Sequence, residues 1–232
     1  MRINKYIAET GLCSRRKAEE FINDGLVTIN GEKAVLSSTV EENDVVTLNG
    51  KVLEKKKDFV VLLFNKPKGI TCTTELKVKG NIINYINYPE RIFPIGRLDK
   101  DSTGLILLTN NGDLVNKCLR VENGHEKEYE VHVNKPINDD FINKMSKGVK
   151  IYNPVTNSYV ITLPCTLTKT DKNGFNIILK QGYNRQIRRM CQAFGYRVTS
   201  LNRIRFMNLK LDVKQGEYRL LSKAEINDLE NR

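Results

Sequence analysis

The stretch Glu54-Lys55-Lys56-Lys57-Asp58-Phe59-Val60-Val61-Leu62-Leu63-Phe64-Asn65-Lys66-Pro67-Lys68-Gly69 divides the chain. Its first five residues are all charged and cannot contribute to a core, so they read as a linker. The next six are uninterrupted apolar, the mark of a buried strand, and Asn65 to Gly69 end that strand in a turn. A boundary near residue 58 follows, with a small module over residues 1–58 and a larger domain over residues 59–232.

Before the boundary, Ser14 can cap a helix through Asp24 whose apolar positions Ala18, Phe21 and Ile22 share a face, and Gly25 can stop it. A shorter helix around Asn4 to Thr10 brings Ile7 and Ala8 onto the same face. Val27-Thr28-Ile29-Asn30-Gly31 and Val46-Thr47-Leu48-Asn49-Gly50 are hairpin signals, each an alternation running into Asn-Gly. The module therefore reads as two helices plus a small antiparallel sheet.

After the boundary, strands are expected at Leu105 to Thr109, Tyr129 to Val133, Val160 to Leu163, Gly174 to Leu179 and Val198 to Leu211. Helices are expected at Gly112 to Leu119, Asp139 to Lys147, Arg185 to Phe194 and Lys223 to Glu230. Strands outnumber helices without regular alternation, which favours an α+β domain with a mostly antiparallel or mixed sheet over a doubly wound one.

The chain of 232 residues carries 38 Lys and Arg against 27 Asp and Glu, a net charge of +11 that asks for a polyanionic partner. Nucleic acid is preferred over an anionic membrane surface. Residues 1–58 hold ten basic and ten acidic side chains, so the entire excess lies in the larger domain. No apolar run approaches the roughly 20 residues that span a bilayer, and the start Met1-Arg2-Ile3-Asn4-Lys5 has no signal-peptide core, so a cytoplasmic protein is expected. The five cysteines are widely spaced with no Cys-x-x-Cys, which favours neither a disulfide framework nor a zinc site. His125 and His132 have no third ligand at metal spacing and read as surface residues.

Chemistry concentrates in Gly96-Arg97-Leu98-Asp99-Lys100-Asp101-Ser102-Thr103-Gly104-Leu105. Arg97 and Lys100 favour the charged form of Asp99, which suits a nucleophile. Asp before Ser-Thr-Gly is also a common turn residue, a role that fits Asp101 better. The acids at 99 and 101 could alternatively serve glycosidase chemistry, or with Asp113 hold Mg²⁺ for a nuclease, but nothing assures the geometry.

From Lys172 through Leu211 there are nine Lys or Arg and no acid. Such a run needs Asp or Glu from elsewhere, or phosphate. Arg185, Arg189, Arg203 and Arg205 are candidate RNA contacts within it, as is the triplet Arg15-Arg16-Lys17 in the small module. One arginine of the run could hold Asp99 ionised. Arg188 is preferred, although sequence does not separate Arg185, Arg188 and Arg189. Tyr129 opens an alternating strand and is either a core tyrosine or one that stacks on an unstacked base.

The order of elements in residues 2–50, with Ile7, Ser14, Arg15, Ala18, Ile22, Gly25, Val27, Asn30 and Gly31, resembles the RNA-binding module of a ribosomal small-subunit assembly protein and of tyrosyl-tRNA synthetases. Gly96-Arg97-Leu98-Asp99 with Thr103-Gly104-Leu105, then Lys127-Glu128-Tyr129, then Asn184-Arg185-Gln186-Ile187-Arg188-Arg189-Met190, resembles the RsuA/RluB/RluE/RluF group of bacterial ribosomal pseudouridine synthases. Lys66-Pro67-x-Gly69, Leu201-Asn202-Arg203-Ile204-Arg205 and Gly216-Glu217-Tyr218-Arg219-Leu220-Leu221 extend the resemblance over nearly the whole chain, nearest to the RluF branch.

That resemblance implies isomerisation of uridine in ribosomal RNA, with 23S RNA preferred over 16S or transfer RNA, no cofactor or metal, no obligate protein partner, and a monomer. It matches Asp99 to the nucleophile, which attacks the ribose anomeric carbon or carbon 6 of the base. Arg97 matches the residue that fills the stack left by the flipped nucleotide, and Tyr129 the tyrosine that packs on the base and is a candidate to assist proton removal. Arg188 matches the basic partner of the aspartate, and Leu201 a pocket wall. Tyr183 stands where other branches have Arg. A non-catalytic RNA-binding or ribosome-assembly factor, and a nuclease or N-glycosidase, are the competing expectations.

Overall fold

The computed structural model describes residues 1–55, 59–120 and 124–231. Residues 56–58 of the expected linker lie outside them. The chain forms two compact units, Met1–Val60 with Tyr88–Ile92 and Asn110–Gly112, and Val61–Asn87 with Phe93–Thr109 and Asp113–Arg232.

The first unit runs α1 (Ile3–Glu9), α2 (Arg15–Asn23), β1 (Val27–Ile29), β2 (Glu32–Lys33), β3 (Val46–Leu48) and β4 (Lys51–Val52). Ser14 Oγ accepts from the Lys17 amide at 3.2 Å and satisfies one of the first-turn donors of α2. Gly25, at φ +69°, takes the chain out of that helix. Asn30 and Gly31, and again Asn49 and Gly50, all have positive φ, as a two-residue turn matched to strand twist requires. Each turn closes an antiparallel pair, and the sheet order is β2-β1-β3-β4. Ile3 and Ile7, spaced four apart on α1, and Ala18 and Ile22 on α2 bury against Val27 and Val46.

The second unit runs β5 (Val61–Lys66), α3 (Ile82–Ile86), β6 (Phe93–Ile95), β7 (Thr103–Thr109), α4 (Gly112–Leu119), β8 (Lys127–Val133), α5 (Asp139–Ser146), β9 (Lys150–Asn153), β10 (Ser158–Ile161), β11 (Thr166–Lys169), β12 (Gly174–Leu179), α6 (Gln186–Ala193), β13 (Val198–Phe206), β14 (Leu209–Lys210), β15 (Tyr218–Leu220) and α7 (Lys223–Asn231). Its sheet follows the order β11-β12-β8-β13-β7-β5-β15, with β14 added on β13 and β6 on β7. The β13–β7 pair is parallel and the others are antiparallel, so this is the mixed α+β sheet expected. Every residue of β5 is buried, which explains its continuous apolar run. Helices α5 and α6 supply Phe141, Met145, Ile187 and Met190 to a core shared with Val131, Phe175, Ile177 and Leu201.

Two expectations need correction. The strand foreseen through Leu211 ends at Phe206, because Met207 takes φ +54° and Phe206 pairs back onto Leu209 in a tight hairpin. His125 is buried, whereas His132 is exposed and lies 3.1 Å from Asp171. All five cysteines are free. Burial pushes every one of their thiols up, Cys118 and Cys165 to about 11 and Cys191 to about 12, so none is a thiolate near neutrality.

Candidate active site

Asp99 lies in the loop that carries the chain from β6 into β7. Gly96 opens this loop at φ +75°, and the Ser102 amide donates to the Asp99 carbonyl at 3.0 Å, closing a turn around Lys100 and Asp101. The turn is thus closed by backbone. Asp101, read from sequence as the turn residue, does lie in this turn, and its exposed side chain faces Arg185 at 3.8 Å. Two neighbours brace the loop. The Gly69 amide donates to the Lys100 carbonyl at 2.8 Å, and the Leu98 amide points at Cys72 Sγ at 3.5 Å.

Lys66 sits beneath this brace with no solvent exposure at all. Its ammonium donates to the carbonyls of Pro67 and Ile70, each at 3.0 Å, which answers two of its three donors. Burial lowers its pKa, and the negative charges of Asp101 and Asp99 oppose that shift. The charge of this buried lysine is thus felt by the loop that carries Asp99 and Asp101.

From the other side, α6 brings two arginines. Arg188 Nε and Arg185 Nη1 each lie 3.7 Å from Asp99 Oδ2, and Arg185 Nη1 is also 3.8 Å from Asp101 Oδ2. The Arg188 guanidinium is clamped by the Val198 carbonyl, the Asp101 carbonyl and Ser102 Oγ at 3.3 to 3.4 Å. Its Nε, aimed at Asp99, is buried and makes no hydrogen bond. At 3.7 Å the attraction is electrostatic, and the N–H is left for a group that closes the gap. Burial and the like charge of Arg185 lower the Arg188 pKa, with Asp99 opposing. An arginine nonetheless stays protonated.

Arg185 is more exposed and occupies the N-cap of α6 at φ +52°. Arg189 is engaged by Asn184, its Nε donating to the Asn184 carbonyl at 3.0 Å and its Nη2 to Asn184 Oδ1 at 3.3 Å. The structure therefore separates the three arginines that sequence could not. Two reach Asp99, and Arg188 is the better fixed.

The sheet register places the remaining residues. Lys66 stands opposite Gly104, Gly104 opposite Arg203, Arg203 opposite Tyr129, and Tyr129 opposite Ile177, a single row across four hydrogen-bonded pairs. Tyr129 is half-buried against the core that also holds Leu201. Thr103 Oγ1 donates to Asn202 Oδ1 at 3.1 Å, and Asn202 Nδ2 donates to Glu130 Oε2 at 3.1 Å, tying the start of β7 to β13 and β8. Arg97 is exposed beside Asp99. Arg15, Arg16 and Lys17 are exposed on the first turn of α2, with Lys17 paired to Glu20.

Arg203 and Arg205 are not placed for phosphate. Arg203 is 3% exposed and its Nε donates to the Leu105 carbonyl at 2.6 Å. Arg205 pairs with Glu128 at 2.8 Å and Glu126 at 3.1 Å. Lys66, Ser102 and Asn202 are the site's neighbours that sequence reasoning did not single out. Lys66 had one signal, a lysine ending an otherwise apolar strand just before Pro-x-Gly. Among the described residues no three His, Cys, Asp or Glu side chains converge, and no helix is long and apolar enough to cross a membrane.

Residues 60–193 match the family model of RNA pseudouridylate synthases, and residues 1–46 match the S4 domain. The chain is 52% identical over 231 residues to the dual-specificity RNA pseudouridine synthase RluF of Salmonella typhi, covering 98% of this chain and 78% of that relative. It is 50% identical to the protein of the same name from Escherichia coli K12, covering 99% and 78%. The ribosomal large subunit pseudouridine synthase B of Bacillus subtilis is 33% identical over 233 residues, 98% of this chain and 95% of that one. A crystal structure of a pseudouridylate synthase superposes with a TM-score of 0.72 at 28% identity over 99% of both chains.

Proposed function

Since the chain belongs to the RNA pseudouridylate synthase family and isomerises uridine to pseudouridine in RNA, we propose that Asp99 is the nucleophile and that the substrate is ribosomal RNA of the large subunit. The observation that carries the assignment is the environment of Asp99. Its side chain is only a quarter exposed, has two guanidinium groups 3.7 Å away, and sits in a loop braced on both sides. Both guanidinium groups lie within ion-pair reach of the carboxylate and neither hydrogen-bonds it, so its lone pairs remain available for attack.

The reaction breaks the bond from N1 to the ribose anomeric carbon and forms one from C5 to the same carbon. C5 loses a proton, N1 gains one, and no electrons enter or leave. Asp99 acts either by attack on the anomeric carbon, releasing uracil that turns and rejoins, or by addition to C6 of the base. Both routes need a flipped nucleotide, whose unstacking costs a few kcal/mol (~ 2–4) that contacts to the RNA must offset. Arg97 fills the vacated stack, Tyr129 packs on the base, Leu201 supplies an apolar wall, and Arg188 partners the carboxylate. Arg185 and Arg189 contact backbone phosphate beside the site, and Arg15, Arg16 and Lys17 do so from the module of residues 1–58. Residues 59–232 carry the chemistry, and the enzyme works as a cytoplasmic monomer.

Large-subunit RNA is favoured by the ribosomal name of the Bacillus subtilis relative. The test is to incubate wild type and Asp99→Asn with 23S RNA, 16S RNA and transfer RNA from a strain lacking the enzyme, and to map pseudouridine. Wild type should modify 23S RNA. Asp99→Asn should modify nothing while binding that RNA as wild type does. Modification by Asp99→Asn at the wild-type rate overturns the nucleophile, and modification confined to 16S or transfer RNA overturns the substrate.

A further inference from the structure

Strands β9 and β10 form a two-stranded sheet of their own. Their register sets Tyr152 opposite Tyr159 and Lys150 opposite Ile161, so these four side chains share one face. The alternate face carries Ile151, buried in the core with Ile187 and Met190 of α6. The hairpin is therefore anchored by one face and leaves the other in solvent.

That outer face is unusual for a surface. Tyr159 is 68% and Ile161 72% exposed, Val155 at the tip is 79% exposed, and Tyr152 and Leu163 are exposed beside them. The two tyrosine rings meet edge to face, with centroids 5.6 Å apart at 67°. The Tyr152 hydroxyl donates to Asn157, which fixes its ring. Lys150 Nζ lies over the Tyr159 ring, 5.2 Å from its centroid. Contiguous exposed apolar and aromatic side chains mark a binding surface, and flat rings with an adjacent cation suit a nucleobase and its phosphate.

Charge decides which partner this is. The thirty residues from Phe141 to Thr170 contain Lys144, Lys147, Lys150 and Lys169 and no Asp or Glu. Lys144 is answered by Asp140 at 2.8 Å and Lys169 donates to the Ile137 carbonyl at 3.1 Å, which leaves Lys150, over the Tyr159 ring, as the cation that a phosphate meets at this face. The hairpin also adjoins the site, since β9 packs on α6, the helix that presents Arg185 and Arg188 to Asp99.

We propose that Tyr152, Tyr159 and Lys150 form a stacking platform for an unpaired nucleotide of the substrate RNA, separate from the target uridine. The platform rests on the RNA-modifying function given above. A base stacks on Tyr159, and Lys150 moves from the ring to the neighbouring phosphate. Because the tyrosines read a π-face and not base edges, the platform adds affinity at one position without selecting the base.

The chain contains no tryptophan, so Tyr159→Trp introduces a single indole at the platform. Its fluorescence should be quenched by large-subunit RNA and not by heparin, a polyanion without bases. In steady-state pseudouridine formation, Tyr159→Ala should raise KM about tenfold with kcat within about twofold. Tyr159→Phe and Tyr159→Trp should stay near wild type. Equal quenching by heparin, no quenching by RNA that is bound, or an unchanged KM for both Tyr159→Ala and Tyr152→Ala would overturn the platform. If wild type forms no pseudouridine in this RNA, the assigned substrate fails, and the indole measurement still decides the stacking.

Discussion

Replacing Gly104 with alanine should damage both stability and activity, because this residue holds the parallel pairing on which the Asp99 loop depends. Gly104 has φ +102°, a conformation that costs a residue with a side chain about 1–3 kcal/mol. A Cβ there would lie 2.3 Å from the Arg203 carbonyl oxygen, 2.6 Å from the Arg203 amide nitrogen and 2.6 Å from Asn202 Oδ1. Two of these three atoms are backbone and cannot rotate away, so β13 must move off β7, an overpacking cost of about another 1–3 kcal/mol. The combined loss of about 4 kcal/mol corresponds to roughly 8–16 °C in the melting temperature of a protein this size. The same displacement breaks the hydrogen bond from Thr103 to Asn202 and shifts the loop five residues upstream. Scanning calorimetry on wild type, Gly104→Ala and Gly112→Ala checks this, since nothing lies within 4 Å of a Cβ at Gly112 and its φ is ordinary. A Gly104→Ala protein as stable as Gly112→Ala, with wild-type turnover, would refute the packing argument.

Two further predictions concern charge. Arg188→Met should lower kcat about 100-fold or more, and Arg188→Lys should recover only part of this, because an ammonium cannot make the three clamping contacts of the guanidinium. Arg185→Ala, at a more exposed position, should cost less than about tenfold, and single-turnover rates on one RNA give the ranking. The ion pairs of Arg219 hold the pKa of Glu225 down to about 2, so their contribution is complete above the unfolded carboxylate value of about 4.3 and is lost as pH falls through about 2. Solvent screening limits it to about 1 kcal/mol. Urea denaturation at pH 7, 4 and 1.5 should find wild type more stable than Glu225→Gln at pH 7 and nearly equal to it at the lowest pH.

Local signals carried much of the fold. The Asn-Gly pairs named both hairpins of the first unit, Ser14 its helix cap, and the apolar run after residue 58 the buried strand β5. The elements that escaped notice are short and owe their conformation to a partner. β6 is three residues that pair with β7, β15 three that pair with β5, and β11 a polar edge strand on β12. None has enough pattern of its own. That an arginine of the acid-free run meets Asp99 was legible in the sequence, but the burial of Lys66 and the choice between Arg185, Arg188 and Arg189 depend on tertiary placement.

The acid-free run from Lys172 to Leu211 shows where a charge count along the chain misleads. Read linearly, its nine cations suggest one continuous phosphate surface. Glu126, just ahead of β8, and Glu128 and Glu130 within it lie alongside β13, and there Glu126 and Glu128 neutralise Arg205 while Glu130 accepts from Asn202. The intervening position of β8 is Tyr129, opposite buried Arg203. The alternation Glu128-Tyr129-Glu130 therefore sorts charge by strand geometry, with acids on one face meeting β13 and the tyrosine on the other joining the core beside α6. The cations these acids do not reach shift the expected contact surface from β13 to the start of α6 and to Lys150 on the β9–β10 hairpin.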